Sequence, residues 1–226
     1  MHEMARAVAK RIPTDPTYYP TSDNMGEGTL HRVIVALLHA LVIDWMRSKK
    51  KRVFVGADQF IYYRQHAPTV SVAPDVYLLP GVAPETHFSS WKIWERDGIA
   101  PSFAFECASD DWLKDHRDGP PKYDEIGTAE LVIYDPSYLE APSERLRWQV
   151  WRRVGKRGLV RVEGTNGDRV KSKELGCWLR VVDDRVRLAT GDRGDAIVPS
   201  AEERAASAEA RALALEAELA AIRGKS

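Results

Sequence analysis

The sequence predicts a mixed α/β fold with a helical extension at its C-terminal end. Three observations lead there. An apolar stripe runs at helical spacing from Leu30 to Trp45, short β-type segments follow between Val53 and Leu188, and an alanine-rich tail after Pro199 carries a heptad period.

In chain order, residues 1–26 hold Pro13, Pro16 and Pro20 without an apolar period and read as an extended arm. Leu30, Val33, Ile34, Leu37, Leu38, Leu41, Val42 and Trp45 share one helical face, and the run Lys49-Lys50-Lys51-Arg52 suits a solvated helix end at the negative pole of its dipole. Val53 to Val55, Phe60 to Tyr63, Val70 to Val72 and Val76 to Leu79, separated by Gly56, Pro68 and Pro74, begin a sheet. Trp91 and Trp94 flank a loop closed by Pro101, and Phe103 to Cys107 adds a further strand. Pro120-Pro121 introduces a short helix from Lys122 to Ile126. Leu131 to Tyr134 reads as a buried strand ended by Asp135-Pro136, so a helix between two strands gives one βαβ-like unit in a mixed sheet. Trp148 to Val154, Leu159 to Val162 and Arg180 to Leu188 read as hairpin strands, with Asn166-Gly167 as a turn.

In the tail, Ser200 and Glu203 have the spacing of a capping box. Ala201, Ala205, Ala208, Ala212, Leu215, Leu219 and Ile222 repeat at alternating gaps of four and three. That seam suits coiled-coil pairing, hence a homo-oligomer such as a dimer through this helix, or docking of the helix on its own domain. The expected organisation is an arm over 1–26, one domain over 27–198 and a separate helix over 199–226.

A chain of 226 residues, 44% of them hydrophobic, can bury one full-sized core. Lysine plus arginine equals aspartate plus glutamate at 33 each, so any site for a polyanion must be local. Its best candidate is Arg145 to Arg161, which holds Arg147, Arg152, Arg153, Lys156 and Arg157 with no acidic residue. Such a run is either a phosphate-contacting surface or the solvated face of a hairpin. No stretch of about 18 uncharged apolar residues occurs, and the Met-His-Glu-Met start lacks the order of a signal peptide, so neither a membrane span nor export is expected. Cys107 and Cys177 lie outside any metal-ligand spacing, which argues against zinc and for a reducing, cytoplasmic compartment.

Two carboxylates stand where strands should be apolar: Asp75, between Pro74 and Val76, and Glu106, inside Phe103 to Cys107. A buried carboxylate needs a partner, and two on neighbouring strands repel unless a cation lies between them. Oxygen ligands of this kind suit Mg2+ or Mn2+. The alternative is that Asp75 caps a turn and Glu106 pairs with an arginine.

The order Pro74-Asp75-Val76, Phe105-Glu106-Cys107-Ala108-Ser109, Tyr123 with Gly127 and Glu130, then Tyr134-Asp135-Pro136 resembles the Uma-type restriction endonucleases of the PD-(D/E)XK superfamily. Upstream, Tyr19-Pro20 and Ser22-Asp23, then Met25, Glu27 and His31, match a subgroup of that family. The resemblance implies a restriction-endonuclease-like mixed sheet flanked by helices, acting as a metal-dependent endonuclease on nucleic acid, with DNA the expected polymer. Asp75 and Glu106 would be catalytic metal ligands, Glu27 a third carboxylate, and Asp58 a weaker candidate. Ala108 occupies the superfamily's usual lysine position, and Gly119 stands where related sequences carry a displaced one. The resemblance therefore leaves Lys122 as the catalytic lysine, or implies a nuclease fold that binds nucleic acid or serves as a scaffold without cutting. His31, on a largely apolar face, reads as structural.

Overall fold

The computed structural model describes residues 29–109, 112–140 and 145–223; the arm over 1–26 and Glu27 lie outside them. Its elements are α1 (Thr29–Ser48), β1 (Val53–Gly56), β2 (Ile61–Tyr62), β3 (Ser71–Val72), β4 (Val76–Pro80), β5 (Trp91–Lys92), β6 (Phe103–Cys107), α2 (Gly119–Ile126), β7 (Glu130–Tyr134), β8 (Trp148–Arg153), β9 (Leu159–Thr165), β10 (Arg169–Ser172), β11 (Cys177–Val182), β12 (Arg185–Thr190), β13 (Ala196–Ile197) and α3 (Ala201–Arg223).

The main sheet has the order β1-β4-β6-β7-β8-β9. Its pairs are antiparallel except β6 and β7, which run parallel because α2 carries the chain back between them. A second sheet, β10-β11-β12-β13, and a small third one, β3-β2-β5, complete the fold. The expected mixed sheet with flanking helices and a C-terminal helix is what forms.

Alternation along the strands divides the core in two. Val76, Leu78, Phe103, Phe105, Val132 and Trp148 join Ile34, Leu38, Leu41 and Val42 of α1 with Leu179 and Leu188 of the second sheet. On the other face, Tyr77, Leu79, Ala104, Leu131 and Ile133 meet Tyr123 and Ile126 of α2. By length and composition α1 passes for a membrane span. It packs instead between the two larger sheets, touching β1, β4, β6 and β12. Gly56 lies opposite Tyr77, and a Cβ there would come within 2.2 Å of the tyrosine ring, so only glycine lets the ring cross β1.

Several local expectations are corrected. The loop around Trp91 and Trp94 contains β5, which pairs parallel to β2, and a single helical turn at Ile93–Glu95. Helix α2 begins at Gly119, with Pro120-Pro121 in its first turn, after a wider turn at Lys114–Asp118. Asn166-Gly167 does not close a hairpin, because β9 belongs to the main sheet and β10 to the second. Arg180 to Leu188 is two strands joined at Asp183 and Asp184, whose φ of 48° and 57° are both left-handed, as a two-residue primed turn demands.

The capping box forms: the Glu203 amide donates to Ser200 Oγ at 3.1 Å and the Ser200 amide to Glu203 Oε2 at 2.7 Å. Arg204 fastens this first turn to Asp44 of α1 at 2.6 Å. The remainder of α3 is exposed, including Leu215, Leu219 and Ile222. It is not docked on its own domain.

Candidate active site

The register of β4 and β6 pairs Val76 with Phe105, so one step further Asp75 stands opposite Glu106. Glu106 alternates with Phe105 and Cys107 and so faces α2, whereas Asp75, just before β4, reaches His31 of α1 and the Cys107 amide at the end of β6. The spacing of Asp75 and Glu106 in sequence says nothing of this; the register creates it.

Asp75 is 6% exposed. Its Oδ2 accepts the Cys107 amide at 2.6 Å and its Oδ1 accepts His31 Nε2 at 3.0 Å. The carboxylate is thus clamped against β6 by backbone and held from the other side by α1, and His31 is a positioning residue for it. Asp58 sits in a left-handed turn with its amide on the Pro74 carbonyl, one residue from Asp75.

Glu106 accepts a hydrogen bond from the Tyr123 hydroxyl of α2. Burial drives its carboxyl well above the usual glutamate range, and the charges of Asp75 and Asp115 add to the rise, against Tyr123 and Lys114. Burial also pushes the Tyr123 hydroxyl up, with Glu106 adding to it, so that tyrosine stays a donor through neutral pH. Asp115 itself accepts the amide and hydroxyl of Ser109, 2.8 and 3.0 Å away, which ties the end of β6 to the turn before α2.

Asp75 and Glu106 therefore come together, and Glu27 is outside the described residues. Lys122 lies one position before Tyr123, about 100° around the helix from it. Gly119, four positions before Tyr123, shares its face, and a Cβ there meets nothing nearer than the Lys114 carbonyl at 3.6 Å. Lys114 and Asp115 were not singled out from sequence. Asp115, Gly119 and Tyr123 recur every four residues, a signal that would have marked Asp115.

Other motif residues serve structure. Glu130 accepts from Arg152 at 2.8 Å, from the Ser172 hydroxyl and from the Lys173 and Glu174 amides, joining the main sheet to the second. Asp135 is held by Arg145, and Arg153 meets Asp124 at 2.9 Å and the Asp124 and Thr128 carbonyls. Arg145, Arg152 and Arg153 of the basic stretch thus point at internal acceptors, whereas Lys156, Arg157 and Arg161 are exposed. Cys107 and Cys177 are buried and free, and burial pushes the Cys177 thiol up to about 12, as suits inert core residues.

Among the described residues no group of three His, Cys, Asp or Glu side chains is arranged to hold a metal ion. Two neighbouring carboxylates still fit Mg2+, which keeps several waters and is commonly held by one or two carboxylates plus substrate phosphate.

The Uma2 family, described as "Putative restriction endonuclease", matches residues 23–182. A crystal structure described as a putative nuclease belonging to DUF820, from Anabaena variabilis, is similar at 13% identity, covering 67% of this chain and 76% of its own with a TM-score of 0.44. No curated protein matches the chain.

Proposed function

The chain belongs to the Uma2 family of putative restriction endonucleases, and from that premise we propose that it is a metal-dependent endonuclease hydrolysing phosphodiester bonds. The observation that carries this reading is the approach of Asp75, bonded to the Cys107 amide at the end of β6, to Glu106 beside it, whose carboxyl is raised by burial and then by its neighbour's charge. A divalent cation relieves that repulsion.

Asp75 and Glu106 would hold the cation, with Mg2+ or Mn2+ matching the oxygen donors. When bound, such an ion activates a water and offsets charge on the leaving oxygen. The chain's own residues do the rest. The Cys107 amide and His31 fix the Asp75 oxygens, Tyr123 orients Glu106, and Lys114, whose charge reaches Glu106, is the cation beside the reacting phosphate.

The test is cleavage of single- and double-stranded DNA and RNA with Mg2+ or Mn2+, expected to stop on chelation. Absence of cleavage on every substrate would overturn the reading. A nucleic-acid-binding protein that has lost cleavage is favoured by one observation, the glycine at 119 on the face of Tyr123. Lysine variants separate the two. Lys114→Ala is expected to lower kcat about a hundredfold, the size of losing one charge-stabilising donor. Lys122→Ala should stay near wild type, and Gly119→Lys should restore rate to Lys114→Ala. A loss with Lys122→Ala alone would return the role to Lys122.

The exposed seam of α3 pairs with a second copy in this reading, because Leu215, Leu219 and Ile222 are otherwise left in water. Leu215→Lys with Leu219→Lys should halve the mass seen by light scattering without altering the domain's melting. An unchanged mass rules out this dimer.

A further inference from the structure

A groove of about 690 Å³ lies between α2 and the hairpin of β8 and β9, lined by His116, Arg117, Pro120, Pro121, Trp151 and Arg161, with Asp124 and Leu159. Its floor is aromatic and its rim cationic. The Arg161 guanidinium stands 5.9 Å over the Trp151 ring, and both reach Gln149 Oε1, Trp151 Nε1 at 3.2 Å and Arg161 Nη1 at 3.4 Å. The lone carboxylate in the lining, Asp124, is engaged by Arg153 and by the Leu159 amide at 2.8 Å, so Arg117 and Arg161 set the sign of the field.

Two further observations point to a ligand. His116 is 6% exposed, and its Nδ1 has no hydrogen-bond partner among the described residues. The groove also lies on the same side of the main sheet as Glu106. In register, Glu106 pairs with Ile133 and Ile133 with Gln149, so the polar group beneath Trp151 lies two strands from Glu106 on the same face, about 10 Å away.

We propose that this groove binds one unpaired nucleotide of the substrate strand, a few positions from the bond that is cut. Its base stacks on Trp151 between the prolines, and its phosphate lies between Arg117 and Arg161. A flat, sequence-tolerant π-face with guanidinium edges is the chemistry that single strands use, and a pocket of this volume holds one nucleotide while a duplex cannot enter it. The proposal rests on the nuclease reading and adds the strand's form and path.

The test is fluorescence anisotropy of the full chain, without divalent metal, on a labelled single-stranded DNA dodecamer and on the matching duplex. The single strand is expected to bind more tightly. Arg117→Ala with Arg161→Ala, both exposed positions, should weaken it tenfold or more and reduce the salt slope by about 1.4, the value for two lost phosphate contacts on a single strand. Trp151→Leu should weaken it about tenfold as well, with circular dichroism reporting whether that variant folds. Equal binding of strand and duplex, or unchanged affinity in the arginine double variant, overturns the groove. If Asp75→Asn still abolishes cleavage in that case, the nuclease reading survives; if the wild type binds neither polymer, both fall.

Discussion

Asp75→Asn and Glu106→Gln are expected to reduce metal-dependent cleavage about a thousandfold or more, since a catalytic metal supplies several kcal/mol and each ~1.4 kcal/mol is tenfold in rate. Both variants should fold. An asparagine oxygen can still accept the Cys107 amide, and its amino group can donate to His31 in the other imidazole tautomer; a glutamine oxygen still accepts from Tyr123. In the wild type, Mg2+ at a hundred times its Kd should add about 2.7 kcal/mol of stability, or roughly 5–10 °C in Tm, and this rise should vanish in either variant.

Glu106 gives the same site a pH signature. Its folded carboxyl is raised by burial, then by Asp75, so the stability it contributes is complete below the ordinary glutamate value of about 4.3 and is lost as pH rises through the folded value. Metal-free wild type should therefore lose stability between acid and neutral pH relative to Glu106→Gln, which mimics the protonated side chain, and Mg2+ should close the gap. Melting curves at pH 5 and pH 8, with chelator and with Mg2+, read this directly. Parallel curves for wild type and Glu106→Gln in chelator would show that the carboxylates are too far apart to share an ion.

Asp75 and Glu106 were legible because charge in an apolar strand is conspicuous along a single chain. Their alignment was not, since it depends on the register of β4 with β6. The same limit explains the basic stretch. Arg152 looked available for phosphate, yet it faces Glu130 across β7 and β8 in register, and Arg145 lies ten residues from the Asp135 it grips. A charge run read along the sequence carries no information about which strand will lie beside it. Helix α1 and the capping box of α3 were readable because their signals are local, at spacings of three and four residues. The second sheet was partly missed because Asp183-Asp184 is a turn only through its left-handed backbone, whereas the flanking apolar residues run on as if through one strand.

Arg145→Met is expected to be the most destabilising single change outside the main core. Asp135 is fully buried and accepts Arg145 twice, at 2.7 and 2.6 Å, and the Ser137 amide at 2.9 Å, with His116 Nε2 3.3 Å away. Burial alone would raise its carboxyl, but His116 and Arg145 together hold it below the usual aspartate range. Removing Arg145 leaves a buried charge without its main partner, which costs about 3–5 kcal/mol. At roughly 2–4 °C per kcal/mol, Tm should fall by about 10 °C or more. The pH response should change as well. In the wild type a depressed carboxyl contributes stability above the ordinary aspartate value of about 3.9 and loses it as pH falls through the folded value, whereas in Arg145→Met burial dominates and the carboxyl favours its proton. The deficit of the variant should thus be smaller at pH 4 than at pH 8. Adding Asp135→Asn to Arg145→Met removes the stranded charge while keeping an acceptor for Ser137, so the double variant should recover much of the loss at pH 8. A single-variant loss under about 1 kcal/mol, or a double variant no better than Arg145→Met, would mean that the pair is solvated and not the internal tie between the end of β7 and the entry to β8.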